Sequence, residues 1–207
     1  MIKTSDQLDG LTDDELVRLA QSKLIGDTRA FRSLLMRHQG KVAANCRYMT
    51  RSSEDVDDLV QEVFVKAYFA LGRFRGDAQF WTWLKRIKIN HCLTFIKSNK
   101  SSFVVDIDST AEDREEFRVD PKFDQDFKSV TKRKLVRATL ESLPEKLRVA
   151  LVLCDLDGLT YEEVSETLGI SLSAARMRIK RGRDEFKKRY DLARSRTTMS
   201  SMEEVSQ

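Results

Sequence analysis

Apolar residues recur along this chain every three or four positions, the interval that lines one face of an α-helix. Thr12 and Glu15 have the spacing of a capping box and precede Leu16, Leu19 and Ala20, which predicts a short first helix. From Asp27 onward, Phe31, Leu34, Leu35, Val42, Cys46 and Met49 predict a second helix of more than five turns. Val56, Leu59, Val60, Val63, Phe64, Ala67, Tyr68 and Leu71 then repeat at i, i+3, i+4 and i+7. They follow Ser52, Ser53, Glu54 and Asp55, whose acids suit the positive end of a helix. Residues 72–79 read as a loop around Gly76, and a fourth helix opens near Asp77 with Phe80, Trp83, Leu84, Ile87 and Phe95 inward. Four helices with one apolar stripe each predict a compact bundle over residues 1–100.

The periodicity stops over residues 101–128, which contain Pro121 and read as a flexible acidic linker. It resumes near Ser129 with a helix to about Ser142. Ser142 is then the expected N-cap of a second helix, ahead of Pro144 and Glu145, with Leu147, Ala150, Leu151 and Cys154 as its stripe. Asp157-Gly158 breaks the chain, and Thr160 with Glu163 forms another capping box before Val164 and Leu168. Gly169 ends that short helix, Ile170 fills the turn, and Ser171 caps a last helix with Leu172, Ala175, Ile179 and Phe186 inward. The second module spans 129–195, and the Ser-, Thr- and Met-rich tail 196–207 reads as disordered. The expected fold class is all-α: a four-helix domain and a helix-turn-helix domain joined by the flexible acidic linker.

Composition supports this picture. A chain of 207 residues with two prolines and eight glycines lacks the turn punctuation of a β-sandwich or barrel. It contains no run of about 18 apolar residues that would span a membrane. Its start, MIKTSDQLDG, lacks the apolar stretch of a signal peptide, so the cytoplasm is the expected compartment. Cys46, Cys92 and Cys154 stand apart, with no CxxC and no adjacent histidine pair, against a zinc site or disulfide framework. No catalytic residue, metal or cofactor is expected. Charge is distributed unevenly. Residues 1–100 carry 17 Lys/Arg against 12 Asp/Glu, residues 101–128 carry 4 against 9, and residues 129–207 carry 16 against 12. Two basic modules around an acidic connector suit a protein that grips nucleic acid at two places.

Three constellations carry candidate chemistry. Residues 160–183 have the arithmetic of a helix-turn-helix, whose second helix must present long polar side chains to a groove about 12 Å wide. Ser173, Arg176, Arg178, Lys180, Arg181 and Arg183 are its candidates, within a stretch from Ser173 to Arg196 that holds 10 basic and 3 acidic residues. The second is the loop and fourth helix. With Phe80, Trp83, Leu84 and Ile87 inward, Trp81, Lys85, Arg86, Lys88 and Asn90 are expected toward solvent, where a ring among cations suits single-stranded nucleic acid. A core position for both tryptophans is equally compatible with the periodicity. The third is the acidic cluster Asp55, Asp57, Asp58 and Glu62, which reads as a docking face, a solvated helix or a magnesium site. Gln61 and the outward Val65 and Phe69 favour a protein partner.

Four motifs in order then resemble a known family. They are Asp57-Asp58-Leu59-Val60-Gln61-Glu62-Val63-Phe64; Phe74-Arg75-Gly76 with Phe80-Trp81-Thr82-Trp83-Leu84-Lys85-Arg86-Ile87; Leu143-Pro144-Glu145 with Asp157-Gly158-Leu159-Thr160-Tyr161-Glu162-Glu163; and Arg178-Ile179-Lys180-Arg181-Gly182-Arg183. Over roughly residues 12–190 the chain resembles the extracytoplasmic-function sigma factors of bacterial RNA polymerase, in the sigma-70 superfamily. That resemblance implies docking of Asp55, Asp58, Gln61, Glu62 and Val65 on the clamp helices of the β′ subunit. It further implies −10 recognition and melting by Phe74, Arg75, Trp81, Lys85, Arg86, Lys88 and Asn90, and −35 recognition by Ser173, Arg176, Arg178, Lys180, Arg181 and Arg183. The implied partners are core RNA polymerase, including its β flap, promoter DNA and an anti-sigma factor. The chain departs from the common pattern at Ser173-Ala174-Ala175 and at Thr94, which leaves the promoter sequence open. A stand-alone helix-turn-helix regulator and a metal-dependent nuclease using Asp55, Asp58 and Glu62 are the competing readings.

Overall fold

The computed structural model describes residues 8–22, 28–51, 55–98 and 130–205, with side chains for all but 130, 131 and 196–205. Among these residues there is no strand. Two compact units divide the chain, Met1–Phe103 and Val104–Gln207. The linker expected over 101–128 lies outside the described residues, as do the proposed helix start at Asp27 and the lead-in Ser52, Ser53 and Glu54.

The first unit holds α1 (Asp13–Ser22), α2 (Arg29–Thr50), α3 (Val56–Leu71) and α4 (Phe80–Ser98). Thr12 caps α1 as its sequence predicts: Glu15 N–H donates to Thr12 Oγ1 at 3.3 Å and Thr12 N–H to Glu15 Oε2 at 2.7 Å. The 22-residue α2 packs against each of the other three helices. Its Leu34, Val42, Cys46 and Met49 are buried, as are Val63 and Ala67 of α3 and Leu84 and Cys92 of α4, and Cys46 Sγ lies 3.4 Å from Cys92 Sγ. Each such leucine contributes about 1.5–3 kcal/mol by leaving water. Arg51 ends α2 in the left-handed region, φ 62°, where its N–H closes on Arg47 O.

The second unit holds α5 (Val130–Ser142), α6 (Glu145–Leu151), a π-helical turn (Val152–Leu156), α7 (Tyr161–Leu168) and α8 (Leu172–Val205). α8 packs on α5, α6 and α7. Gly182 lets it approach α6 closely, since a Cβ there would stand a tight 3.2 Å from Leu147 O. Three expectations are corrected. Ser142 does not cap α6; it ends α5, with its Oγ donating to Thr139 O at 2.7 Å, while Pro144 precedes the first residue of α6. The stripe beyond Leu151 is not α-helical. Asp157 N–H reaches Val152 O at 2.9 Å, five residues back, in a π turn that no local propensity announces. Where a disordered tail is expected from 196, α8 instead continues to Val205.

Candidate functional sites

The outer face of α3 is built by exclusion. Val56, Leu59, Val63, Phe64 and Ala67 face the core, so Asp55, Asp58, Gln61, Glu62 and Val65 are left outward. Asp58, Gln61, Glu62, Val65 and Lys66 line an open depression of about 420 Å³. Val65 and Phe69 are 48% and 76% exposed, an apolar strip beside the acids. Glu62 Oε2 lies 3.0 Å from His91 Nε2 of α4. Burial, and then the charge on Lys66, hold His91 below the usual histidine pKa against the opposing pull of Glu62, which keeps its ring neutral at neutral pH. Among the described residues, no three of His, Cys, Asp and Glu converge as metal ligands.

The loop before α4 turns at Gly76, φ 79°, and carries Arg75 outward, 3.0 Å from Asp77 at an exposed pair. Phe74 is half-buried rather than free: its ring packs 5.0 Å from Trp83 and 6.4 Å from Phe80. Gln21 of α1 pins this loop, its amide donating to Leu71 O at 2.9 Å and Phe74 O at 2.6 Å. Trp81 is also engaged. His38 of α2 stacks on it at 5.6 Å and 14°, and Lys41 Nζ stands 4.3 Å from its ring centre. Asp13 in turn holds His38 Nε2 at 2.7 Å and Arg37 at 3.1 Å. Arg86 and Asn90 are exposed and Lys85 is half-buried. Lys88 corrects the sequence reading. Phe80, Leu84, Lys88, Cys92 and Ile96 share one face at intervals of four, so the aliphatic stem of Lys88 is wholly buried with them instead of facing solvent.

In the second unit, Thr160 caps α7 with both halves of its box, 3.1 and 2.9 Å. Gly169 closes the helix in the left-handed region, φ 65°, and Ser171 Oγ accepts from Ala174 N–H at 3.1 Å to start α8. Ala175, Arg178, Ile179, Gly182 and Phe186 form the inner stripe of α8. Arg178 therefore corrects a second expectation: it is only 8% exposed, on the core side of the helix. Ser173, Arg176 and Arg181 are exposed and Lys180 half-buried. Glu162 at the start of α7 lies 3.7 Å from Arg176. Arg183 is the third correction. Its Nε and Nη2 donate to Asp155 at 3.1 and 2.6 Å, its Nη1 to Tyr161 Oη at 3.2 Å, and Nη2 also reaches Cys154 Sγ at 3.6 Å. Those hydrogen bonds raise its pKa further, so it is a permanent cation, but one held inside its own domain.

Gln21, His38, Lys41 and Asp155 act on these sites without any signal in the local sequence, and Tyr161 and Glu162, though within a family motif, carry no sign there of their partners Arg183 and Arg176. Each meets its target across a large sequence separation, 50 residues for Gln21 and Leu71, and no local pattern encodes such a pairing. The fold and its sites have relatives. The model of Sigma-70 region 2 matches residues 34–102, and that of Sigma-70, region 4, matches residues 133–186. The ECF RNA polymerase sigma-E factor of Escherichia coli (strain K12) is 39% identical over 180 residues, 84% of this chain and 92% of that protein. The RNA polymerase sigma-H factor of Pseudomonas aeruginosa is 35% identical over 185 residues, 86% and 95%. Among solved structures, CnrH in complex with the cytosolic domain of CnrY is 28% identical with a TM-score of 0.54, covering 87% of this chain and 97% of that one. With both regions matched in order and such relatives aligned over most of both lengths, the chain belongs to the sigma-70 family, among the extracytoplasmic-function sigma factors of RNA polymerase.

Proposed function

We propose that this sigma factor docks on core RNA polymerase through the outer face of α3, and that its two basic surfaces divide the promoter between them. Asp55, Asp58, Gln61, Glu62 and Val65 meet the β′ clamp helices, while the second unit lies at the β flap. Phe74 and Arg75 in the loop, with Trp81, Lys85, Arg86 and Asn90 on α4, take the −10 strand as it opens. Ser173, Arg176, Lys180 and Arg181 enter the major groove at −35. The protein has no chemistry of its own to perform. It works in the cytoplasm by binding energy, melting DNA because the opened strand gains stacking and phosphate contacts that the duplex lacks. Control falls to an anti-sigma factor, a reading supported by the similar CnrH being held in complex with another protein, the cytosolic domain of CnrY.

The observation that carries this reading is the α3 face, where Asp58, Gln61, Glu62 and Lys66 lie with exposed Val65 and where Phe69 is exposed one turn further along. Exposed apolar side chains beside the carboxylates of Asp58 and Glu62 suit a basic, partly apolar protein helix, whereas a merely solvated face would show polar side chains alone. Run-off transcription with core enzyme on a genomic promoter library tests it. Asp58→Lys with Glu62→Lys should lower co-elution with core by tenfold or more while circular dichroism stays unchanged, since two like-charge contacts replace attractive ones. Unaltered co-elution of that folded variant would overturn the docking assignment.

A further inference from the structure

Arg183 was expected to be one of a row of cations open to DNA, and its geometry is of another kind. All three of its guanidinium nitrogens are committed to neighbours within the domain, and its side chain is 21% exposed. Its partners come from two elements other than its own: Cys154 and Asp155 from the π turn, and Tyr161 from the first residue of α7. One side chain thus ties the recognition helix to the helix that supports it.

We propose that Arg183 is a positioning residue, which through Asp155 and Tyr161 fixes the angle at which α8 presents Ser173, Arg176 and Lys180 to the −35 duplex and does not itself touch DNA. The inference rests on the −35 reading above and deepens it. The planar fork of arginine pairs with a carboxylate in one orientation, which fixes rotation as well as distance. The π turn belongs to the device. Its extra residue per turn re-aims Cys154 and Asp155 relative to an α-helical continuation, and such insertions gather at functional positions. The lever is long. Ser173 lies ten residues from Arg183, roughly 15 Å along the helix axis, so a tilt of about 10° at the clamp displaces it by roughly 2–3 Å. That shift is comparable to a whole hydrogen-bond length and removes base contacts while leaving the looser attraction of cations for phosphate.

The test uses holoenzyme formed with the full chain. Wild type first selects its −35 sequence from a randomised duplex library, and preference is then the ratio of its affinity for the selected duplex to that for a scrambled one. Asp155→Asn and Arg183→Gln should each reduce that preference by about tenfold, the scale of one lost base contact, and the double variant should do no worse than either. Affinity for the scrambled duplex and co-elution with core should stay within about twofold. A DNA-contacting Arg183 predicts otherwise: Arg183→Gln would weaken both duplexes, and Asp155→Asn, which releases the cation, would spare or strengthen them. That outcome overturns the inference. So does a fall in melting temperature with preference intact, the signature of a clamp that serves only the fold. Arg183→Lys keeps the charge without the fork and should lose part of the preference; failure of all the variants to fold would likewise overturn positioning. A wild-type holoenzyme that selects no −35 sequence would instead overturn the −35 reading itself.

Discussion

Burial, and then the carboxylate of Asp155, push the thiol of Cys154 up from 9.0 to about 12, more than the neighbouring Arg183 pulls it down. Thiolate is the reactive form, and at pH 8 it is then roughly one part in 10⁴ of this residue. Iodoacetamide at pH 8 should leave Cys154 unmodified in the native protein and alkylate it once denaturant is added, as mapped by peptide mass. Rapid native labelling would show that the π turn opens far more readily than its packing implies. The linkage has a definite sign. A raised folded-state pKa favours the neutral thiol, so the stability it contributes is complete below pH 9 and is lost as pH climbs from 9 toward 12. Neutral-pH work on the Asp155–Arg183 clamp is therefore free of this titration.

Helix α4 shows how an element's rotation assigns its residues. A stripe of Phe80, Leu84, Lys88, Cys92 and Ile96 turns Trp81 toward α2, where His38 and Lys41 meet its ring. A tryptophan held in one orientation loses less conformational entropy on stacking with a base than a free one would. Trp81→Ala should accordingly leave closed-complex formation within about threefold in filter binding and lower permanganate reactivity of promoter thymines several-fold. A pre-melted bubble should restore transcription. Equal loss of duplex binding and opening would mean that Trp81 serves only to join α2 to α4. Phe74 is expected to act less directly, because its ring lies against Phe80 and Trp83 and Gln21 holds its carbonyl.

Each unit of the whole molecule encloses a core of its own, around Leu34 and Leu84 in one and around Leu153 and Ile179 in the other. Leu34→Ala leaves a cavity where a wholly buried side chain stood, at a cost of about 2–5 kcal/mol. Followed by residue-resolved hydrogen exchange, that variant should lose protection across α1 to α4 and keep it across α5 to α8. Equal loss of protection in both units would show that they fold as one cooperative body.

Much of this was legible in the sequence because it is local. The capping boxes at Thr12 and Thr160, the left-handed glycine at Gly169, the cap at Ser171 and the outward acids of α3 depend on residues within a turn or two of each other. Apolar period and short-range hydrogen bonding encode them directly. The order of helices and the placing of basic surfaces follow from the same patterns. The assignment of individual cations does not. Lys88, Arg178 and Arg183 read as equivalents of Arg86, Arg176 and Arg181 in a tally of charge, yet Lys88 and Arg178 fall on the buried stripes of their helices and Arg183 is drawn inward by Asp155. A long side chain can bury its stem in a core or turn its head to solvent at nearly the same helical angle. Which it does depends on partners supplied from elsewhere, as Asp155 is supplied to Arg183 from 28 residues away by a π turn. Local sequence thus determined which helices form and where their positive charge gathers, and tertiary contact decided how far each of those charges stays exposed.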